Sequence, residues 1–184
     1  HERLVGSEMC IRDSLYAIQS SCNEIEELRF RVDNEGQILC FETVDVLCPI
    51  RMQANGKFYT VRIPWEEDFV AFYREARHII DSIPEDGNPY GTENDSTEDQ
   101  RYSVILVSAT PDLYFTSMTH TQERPSGSSY PLLNVGKAVV REGKLVMPVA
   151  INVHHGFVDG AHLATFYQKA VSYTHLTLPT KRIV

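Results

Sequence analysis

Apolar residues in this 184-residue chain fall into short blocks whose spacing changes from block to block. Leu15 to Glu26 has the spacing of the end of a helix, and Glu27-Leu-Arg-Phe-Arg-Val32 then alternates as a half-buried strand does. Asp33-Asn34-Glu35-Gly36 reads as a turn, and Gln37 to Leu47 as the returning strand. Asn55-Gly56 carries a hairpin signal ahead of the strand Phe58–Ile63. From about Glu66 to Ile83 the period becomes helical. Phe69, Phe72, Tyr73, Ala76, Ile79, Ile80 and Ile83 share one face, Trp65 packs near its start, and His78 sits among charges on the other side.

Residues 84–100 are rich in Gly, Pro and acids with no apolar period, which predicts a long surface loop. Tyr102–Ser108 is a continuous apolar run suited to a central strand. A turn at Ala109–Asp112 leads into Leu113–Thr119, and a polar loop leads on to the apolar segment Pro131–Val140. Arg141-Glu-Gly-Lys144 is the hairpin into the last strand, Leu145 to Val153, which climbs to His154 and His155. Asp159 and Gly160 follow, and a helix is expected to start near Asp159.

The candidate chemistry gathers at that last strand-to-helix junction. An imidazole held there has its backbone fixed on two elements and can act as a general base, because histidine ordinarily titrates near neutrality. The same pattern also fits a core histidine followed by an aspartate that caps a helix. Composition narrows the classes. A 42% hydrophobic fraction suits one domain with a real core. The net charge of −8, with no basic cluster, argues against a nucleic-acid partner. No run is long and apolar enough for a membrane span, so no membrane partner is expected. Cys10, Cys22, Cys40 and Cys48 form no Cys-x-x-Cys and no metal-ligand spacing. They read as reduced thiols of a cytoplasmic protein, with no metal site.

The run Leu145-Val-Met-Pro-Val-Ala-Ile151, followed by two histidines, three variable residues and Asp159-Gly160, resembles the active-site signature of the chloramphenicol acetyltransferases. Val107-Ser-Ala-Thr-Pro-Asp112, Phe115-Thr-Ser-Met118 and Gly136-Lys137 occur in the family's order, and the resemblance spans about residues 15 to 170. It implies a two-layer α/β sandwich, a mixed sheet with helices on one face, and an O-acetyltransferase using acetyl-CoA on a small hydroxyl acceptor of the chloramphenicol kind. Antibiotic resistance and a homotrimer with active sites between subunits go with it. A different hydroxyl or thiol acceptor, or a homologue that has lost catalysis, is the competing expectation.

By the same resemblance His155 is the base, with no acyl-enzyme and no cysteine nucleophile. Ser117 matches the serine that donates to the oxyanion; on pattern alone it is a polar residue on a strand's wet face. Asp159 pairs with an arginine in the family and holds the histidine loop, a structural role. His154 supports, and His162 reads as exposed helix. Gly136 and Lys137 match a segment lining the coenzyme A channel. Asn134 stands where the family often has a threonine that helps hold a water. The family's elements before the point matching Leu15 are missing, and its closing helix runs past Ala170, so an N-terminally truncated and poorly active fragment is expected. Residues 1–14 and 171–184 resemble translated sequencing-adapter read-through and are expected to be non-native tails, leaving 15–170 as the acetyltransferase-like domain.

Overall fold

The computed structural model describes residues 8–51, 56–84, 101–119 and 129–177, with side chains from 13 to 173. Helix α1 (Glu8–Asn23) is followed by a short 3-10 turn at Glu26–Arg29 and by the hairpin of β1 (Phe30–Val32) and β2 (Ile38–Cys40). Then come β3 (Asp45–Arg51), β4 (Phe58–Ile63), α2 (Phe69–Asp81), β5 (Val104–Ala109) and β6 (Leu132–Val135). A ribbon of β7 (Val139–Arg141) and β8 (Lys144–Val146) precedes β9 (Val149–Asn152) and α3 (Gly160–Thr177).

The main sheet has the order β4-β3-β5-β6-β9. Its middle pairs, β3 with β5 and β5 with β6, are parallel, and both outer pairs are antiparallel. Helix α1 touches β3 and β5 and is flanked by α2 and α3, which puts the three helices in one layer on one face. This is the two-layer mixed-sheet arrangement expected from the sequence. The helix-facing positions are apolar in register: Ile63 and Val61 on β4, Val46 and Cys48 on β3, Ile105 and Val107 on β5, Leu133 and Val135 on β6. Phe72 of α2 and Phe166 of α3 close over them fully buried, each worth about 1.5–3 kcal/mol of burial.

Helix α1 is buried from Ser14 to Cys22 without interruption, so polar residues must be satisfied inside. Ser20 and Ser21 donate to the carbonyls of Tyr16 and Ala17 one turn back, at 2.7 Å each. Gln19 donates to the carbonyls of Val44 and Ile63. Asn23 takes both backbone groups of Val44, its Nδ2 donating to the carbonyl and its Oδ1 accepting the N–H.

Those side chains explain where the observed strands differ from the pattern. The expected strand Gln37–Leu47 is two strands with a gap at 41–44, because Asn23 occupies Val44 and Arg29 Nη1 donates to the carbonyls of Phe41 and Glu42. The expected strand Glu27–Val32 is helical to Arg29, and its buried residue in β1 is Arg31, with Phe30 and Val32 only half-buried. Arg31 donates to four carbonyls: Leu28, Phe30, Tyr102 and Val104. The final strand breaks at Met147-Pro148, since Pro148 has no N–H for a ladder and its carbonyl accepts from Gly136. The segment Pro131–Val140 likewise breaks into β6 and β7 at Gly136. Trp65 stacks on Tyr16 and His78 is exposed, as read from the pattern. The tip of the Asn55 hairpin (52–55) and the loop at 85–100 lie outside the described residues.

Candidate active site

His155 stands in the turn after β9. The carbonyl of His154 accepts from the N–H groups of Phe157 and Val158, which winds 154–158 into a tight loop. Packing fixes the loop on both sides. The ring of His154 lies 4.9 Å from that of Phe157, which stacks on Phe30 at 5.5 Å, while Val158 is buried in the core. A side chain on Gly156 would meet the His154 ring at 2.9 Å, so any larger residue there would have to displace that ring.

Within this frame Nδ1 of His155 lies 3.2 Å from the carbonyl oxygen of Val158. A carbonyl only accepts, so the neutral ring carries its proton on Nδ1 and leaves the Nε2 lone pair free. The ring itself is exposed. A fixed tautomer with an open Nε2 is what a general base requires.

Asp159 is the N-cap of α3. Its Oδ1 accepts from the N–H of Ala161 at 2.8 Å and of His162 at 3.2 Å. Those two bonds hold its carboxyl below the usual carboxylate range. The carboxylate is exposed, its side chain 59% accessible, and it contacts Ala161 and His162; no arginine among the described residues is paired with it. An unpaired buried charge at this position is therefore not present in the chain.

His162 is half-buried and engaged, where the pattern suggested exposed helix. Its Nδ1 accepts from the N–H of Asp159 at 3.1 Å, and its Nε2 lies 3.4 Å from Glu27 Oε1. The signal in the sequence was Asp159-x-x-His162, an N-cap with an acceptor-bearing side chain three residues on.

The remaining candidates lie at the other end of the sheet. Asn134 is buried on β6, where its Oδ1 accepts from Thr110 Oγ1 at 2.9 Å. Gly136 directly follows β6 and packs so tightly that an added Cβ would meet Phe115 and Pro148 at 2.7 Å and the Leu113 carbonyl at 2.8 Å. The N–H of Lys137 donates to the Leu113 carbonyl at 2.8 Å. These contacts tie the irregular segment 110–119, and exposed Ser117 with it, to the end of β6 beyond Val135. Lys137, Arg141 and Lys144 are exposed nearby, and Arg141 lies 4.6 Å over the ring of Tyr114.

Strand direction separates the two groups. β9 runs antiparallel to β6, so His155 leaves past the Leu132–Asn152 pair while Gly136 and Ser117 lie past the Val135–Val149 pair. The paired stretch alone sets the two ends about 10 Å apart at ~3.3 Å per residue. Within one chain, His155 and the 110–119 segment that carries Ser117 therefore leave the sheet in opposite directions.

The chain is similar to known proteins in sequence and in fold. The sequence model of a family described as chloramphenicol acetyltransferase matches residues 11–170. A chloramphenicol acetyltransferase of Clostridium perfringens is 23% identical over 163 residues, spanning 85% of this chain and 69% of the relative. One of Bacillus pumilus is 25% identical over 158 residues, spanning 84% and 67%. A solved chloramphenicol acetyltransferase superposes with a TM-score of 0.82 at 55% identity, covering 89% of this chain and 76% of the other. The cubic core of a pyruvate dehydrogenase multienzyme complex shares the fold at a TM-score of 0.60 and 16% identity, covering 88% of this chain and 66% of the other.

Proposed function

The chain belongs to the chloramphenicol acetyltransferase family, and from that membership we propose that it moves the acetyl group of acetyl-CoA to a hydroxyl of a small, chloramphenicol-like acceptor. The observation that carries this reading is the hydrogen bond from His155 Nδ1 to the Val158 carbonyl, which leaves Nε2 open at the family's histidine position.

In the proposed reaction Nε2 of His155 takes the acceptor's hydroxyl proton as the oxygen bonds to the acetyl carbonyl carbon. The hydroxyl of Ser117 donates to the oxygen that becomes negative. The imidazolium of His155 then returns its proton to the departing sulfur, and the carbon–sulfur bond breaks. Proton and electron pairs balance with no covalent enzyme intermediate and no metal. Lys137, with the neighbouring cations Arg141 and Lys144, supplies positive charge suited to the nucleotide phosphates of coenzyme A. Gly136 keeps the wall of that channel close, and Asn134, bound to Thr110, shapes its floor.

A homotrimer completes this proposal. His155 and Ser117 leave opposite ends of the sheet, which supports a site in which His155 of one copy faces Ser117 of the next. Residues 15–170 are taken as the acetyltransferase unit, acting in the cytoplasm and protecting a cell from the antibiotic, with 1–14 and 171–184 adding nothing to the chemistry. Among the described residues no helix is long and apolar enough to cross a membrane.

The test is release of free coenzyme A thiol from acetyl-CoA in the presence of chloramphenicol and a panel of other small alcohols and thiols. Acetylation of chloramphenicol above the rest is expected. Transfer to a thiol or an unrelated alcohol in preference to chloramphenicol would replace the acceptor assignment, and no transfer to any acceptor would refute the enzyme.

A further inference from the structure

We infer that His162 is a positioning residue that sets the tautomer and orientation of His155 through one shared peptide group. This rests on the reading of His155 as the base. The peptide between Val158 and Asp159 is held at both ends. Its carbonyl accepts from Nδ1 of His155 at 3.2 Å, and its N–H donates to Nδ1 of His162 at 3.1 Å. Glu27 Oε1, 3.4 Å from Nε2 of His162, only accepts, so it places the His162 proton on Nε2 and leaves Nδ1 as the acceptor. Oδ1 of Asp159 also lies 3.1 Å from that Nδ1, but it is committed to the N–H groups of Ala161 and His162.

The result is a continuous chain from Glu27, through His162 and the Val158–Asp159 peptide, to His155. A peptide whose N–H is engaged has a more polarised carbonyl, and hydrogen bonds in series strengthen one another. His162 therefore fixes the plane of this peptide and strengthens the acceptor that pins Nδ1–H of His155. It also anchors the histidine loop to the turn at Glu26–Arg29, which belongs to a different part of the chain. In capping-box language His162 takes the place usually held by Glu or Gln.

The experiment compares His162→Ala, His162→Gln and Glu27→Ala in the full 184-residue chain, reading kcat, KM for acetyl-CoA, and the protection and chemical shift of the His155 Nδ1 proton by NMR. His162→Ala is expected to lower kcat about 10- to 100-fold, the size of a small misplacement of a catalytic group, with KM near its wild-type value. His155 Nδ1–H should exchange faster in the same variant. His162→Gln, which restores an acceptor at that helix position, should recover most of both. Glu27→Ala should shift both readings in the same direction by less, and it serves as the second arm if His162→Ala does not fold.

Wild-type kcat and unchanged protection in His162→Ala would overturn the inference. So would a His162→Gln variant no better than His162→Ala. Should the unaltered chain transfer no acetyl group to any acceptor, the functional reading falls, while the NMR arm still decides whether His162 holds His155.

Discussion

Nδ1 of His155 donates to the carbonyl of Val158 across 3.2 Å, which turns an exposed imidazole into a ring with one defined free nitrogen. If that nitrogen is the base, His155→Ala should abolish nearly all transfer while leaving the fold and assembly intact, because the side chain is exposed and the loop is held by Phe157 and Val158. Retention of about a tenth of the wild-type rate by the alanine variant would exclude His155 as the base.

Ser117 and His155 leave opposite ends of the sheet, which makes a mixing experiment decisive. Ser117→Ala should lower kcat by about 10²–10³, some 3–4 kcal/mol of transition-state stabilisation, with little change in KM. Chains carrying His155→Ala and chains carrying Ser117→Ala should each be nearly inactive. Unfolded together and reassembled at equal amounts, they should regain activity at about a quarter of the sites, those pairing an intact histidine with a neighbour's intact serine. No recovery on mixing would place both groups in one chain or remove Ser117 from the mechanism.

Much of this fold was legible as alternation and period: the helix α2 face, the β3–β4 hairpin, the central strand β5 and the cap at Asp159 all follow from local pattern. What local pattern does not carry is competition for backbone hydrogen bonds by distant side chains. Asn23 and Arg29 interrupt a run that reads as one strand, and they do so from residues up to 21 positions away. Arg31 reverses the apparent phase of β1, since a cation reads as an outward position until four carbonyls are brought around it. At the site, His155 and Asp159 stand in a contiguous motif. His162 belongs to the same local motif through Asp159, whereas its second anchor, Glu27, is distant in sequence and invisible to local pattern.

Gly136 should not tolerate a methyl group. A Cβ there would meet Phe115 Cε1 and Pro148 Cγ at 2.7 Å and the Leu113 carbonyl at 2.8 Å, and a backbone oxygen cannot rotate away. Gly136→Ala is expected to cost about 1–3 kcal/mol by overpacking. It should also raise KM for acetyl-CoA if the 110–119 segment lines the coenzyme channel. Urea unfolding and donor kinetics on the same variant check both, and unchanged stability would mean that the wall moves freely.

The thiols should separate sharply in reactivity. Burial pushes the pKa values of Cys22 and Cys48 up to about 12, whereas Cys40 is exposed. In a Cys10→Ser background, a thiol reagent at pH 8 should modify Cys40 quickly and the other two only on unfolding. Because none is assigned to chemistry, complete modification of Cys40 should leave turnover unchanged; loss of activity would reopen the question of a cysteine role.

Arg31 offers the strongest stability prediction. Its side chain is fully buried, and burial lowers its pKa to about 10, so it remains a cation at neutral pH, hydrogen-bonded to backbone carbonyls. Nε donates to Tyr102, Nη1 to Leu28 and Phe30, and Nη2 to Val104, which locks the β1–β2 hairpin onto the start of β5. Lysine keeps the charge but cannot spread donors over carbonyls on both sides of a planar fork. Arg31→Lys should therefore orphan at least two buried acceptors, a loss of roughly 2–6 kcal/mol at about 1–3 each. Arg31→Met removes the buried charge along with all four bonds and should be comparably destabilised, with no recovery at high pH. Phe30 stacks on Phe157, so the histidine loop should loosen with the hairpin, and activity should fall before global unfolding. Denaturant unfolding followed alongside turnover tests this. An Arg31→Lys protein as stable as wild type would show that the carbonyls find other donors and that the clamp is dispensable.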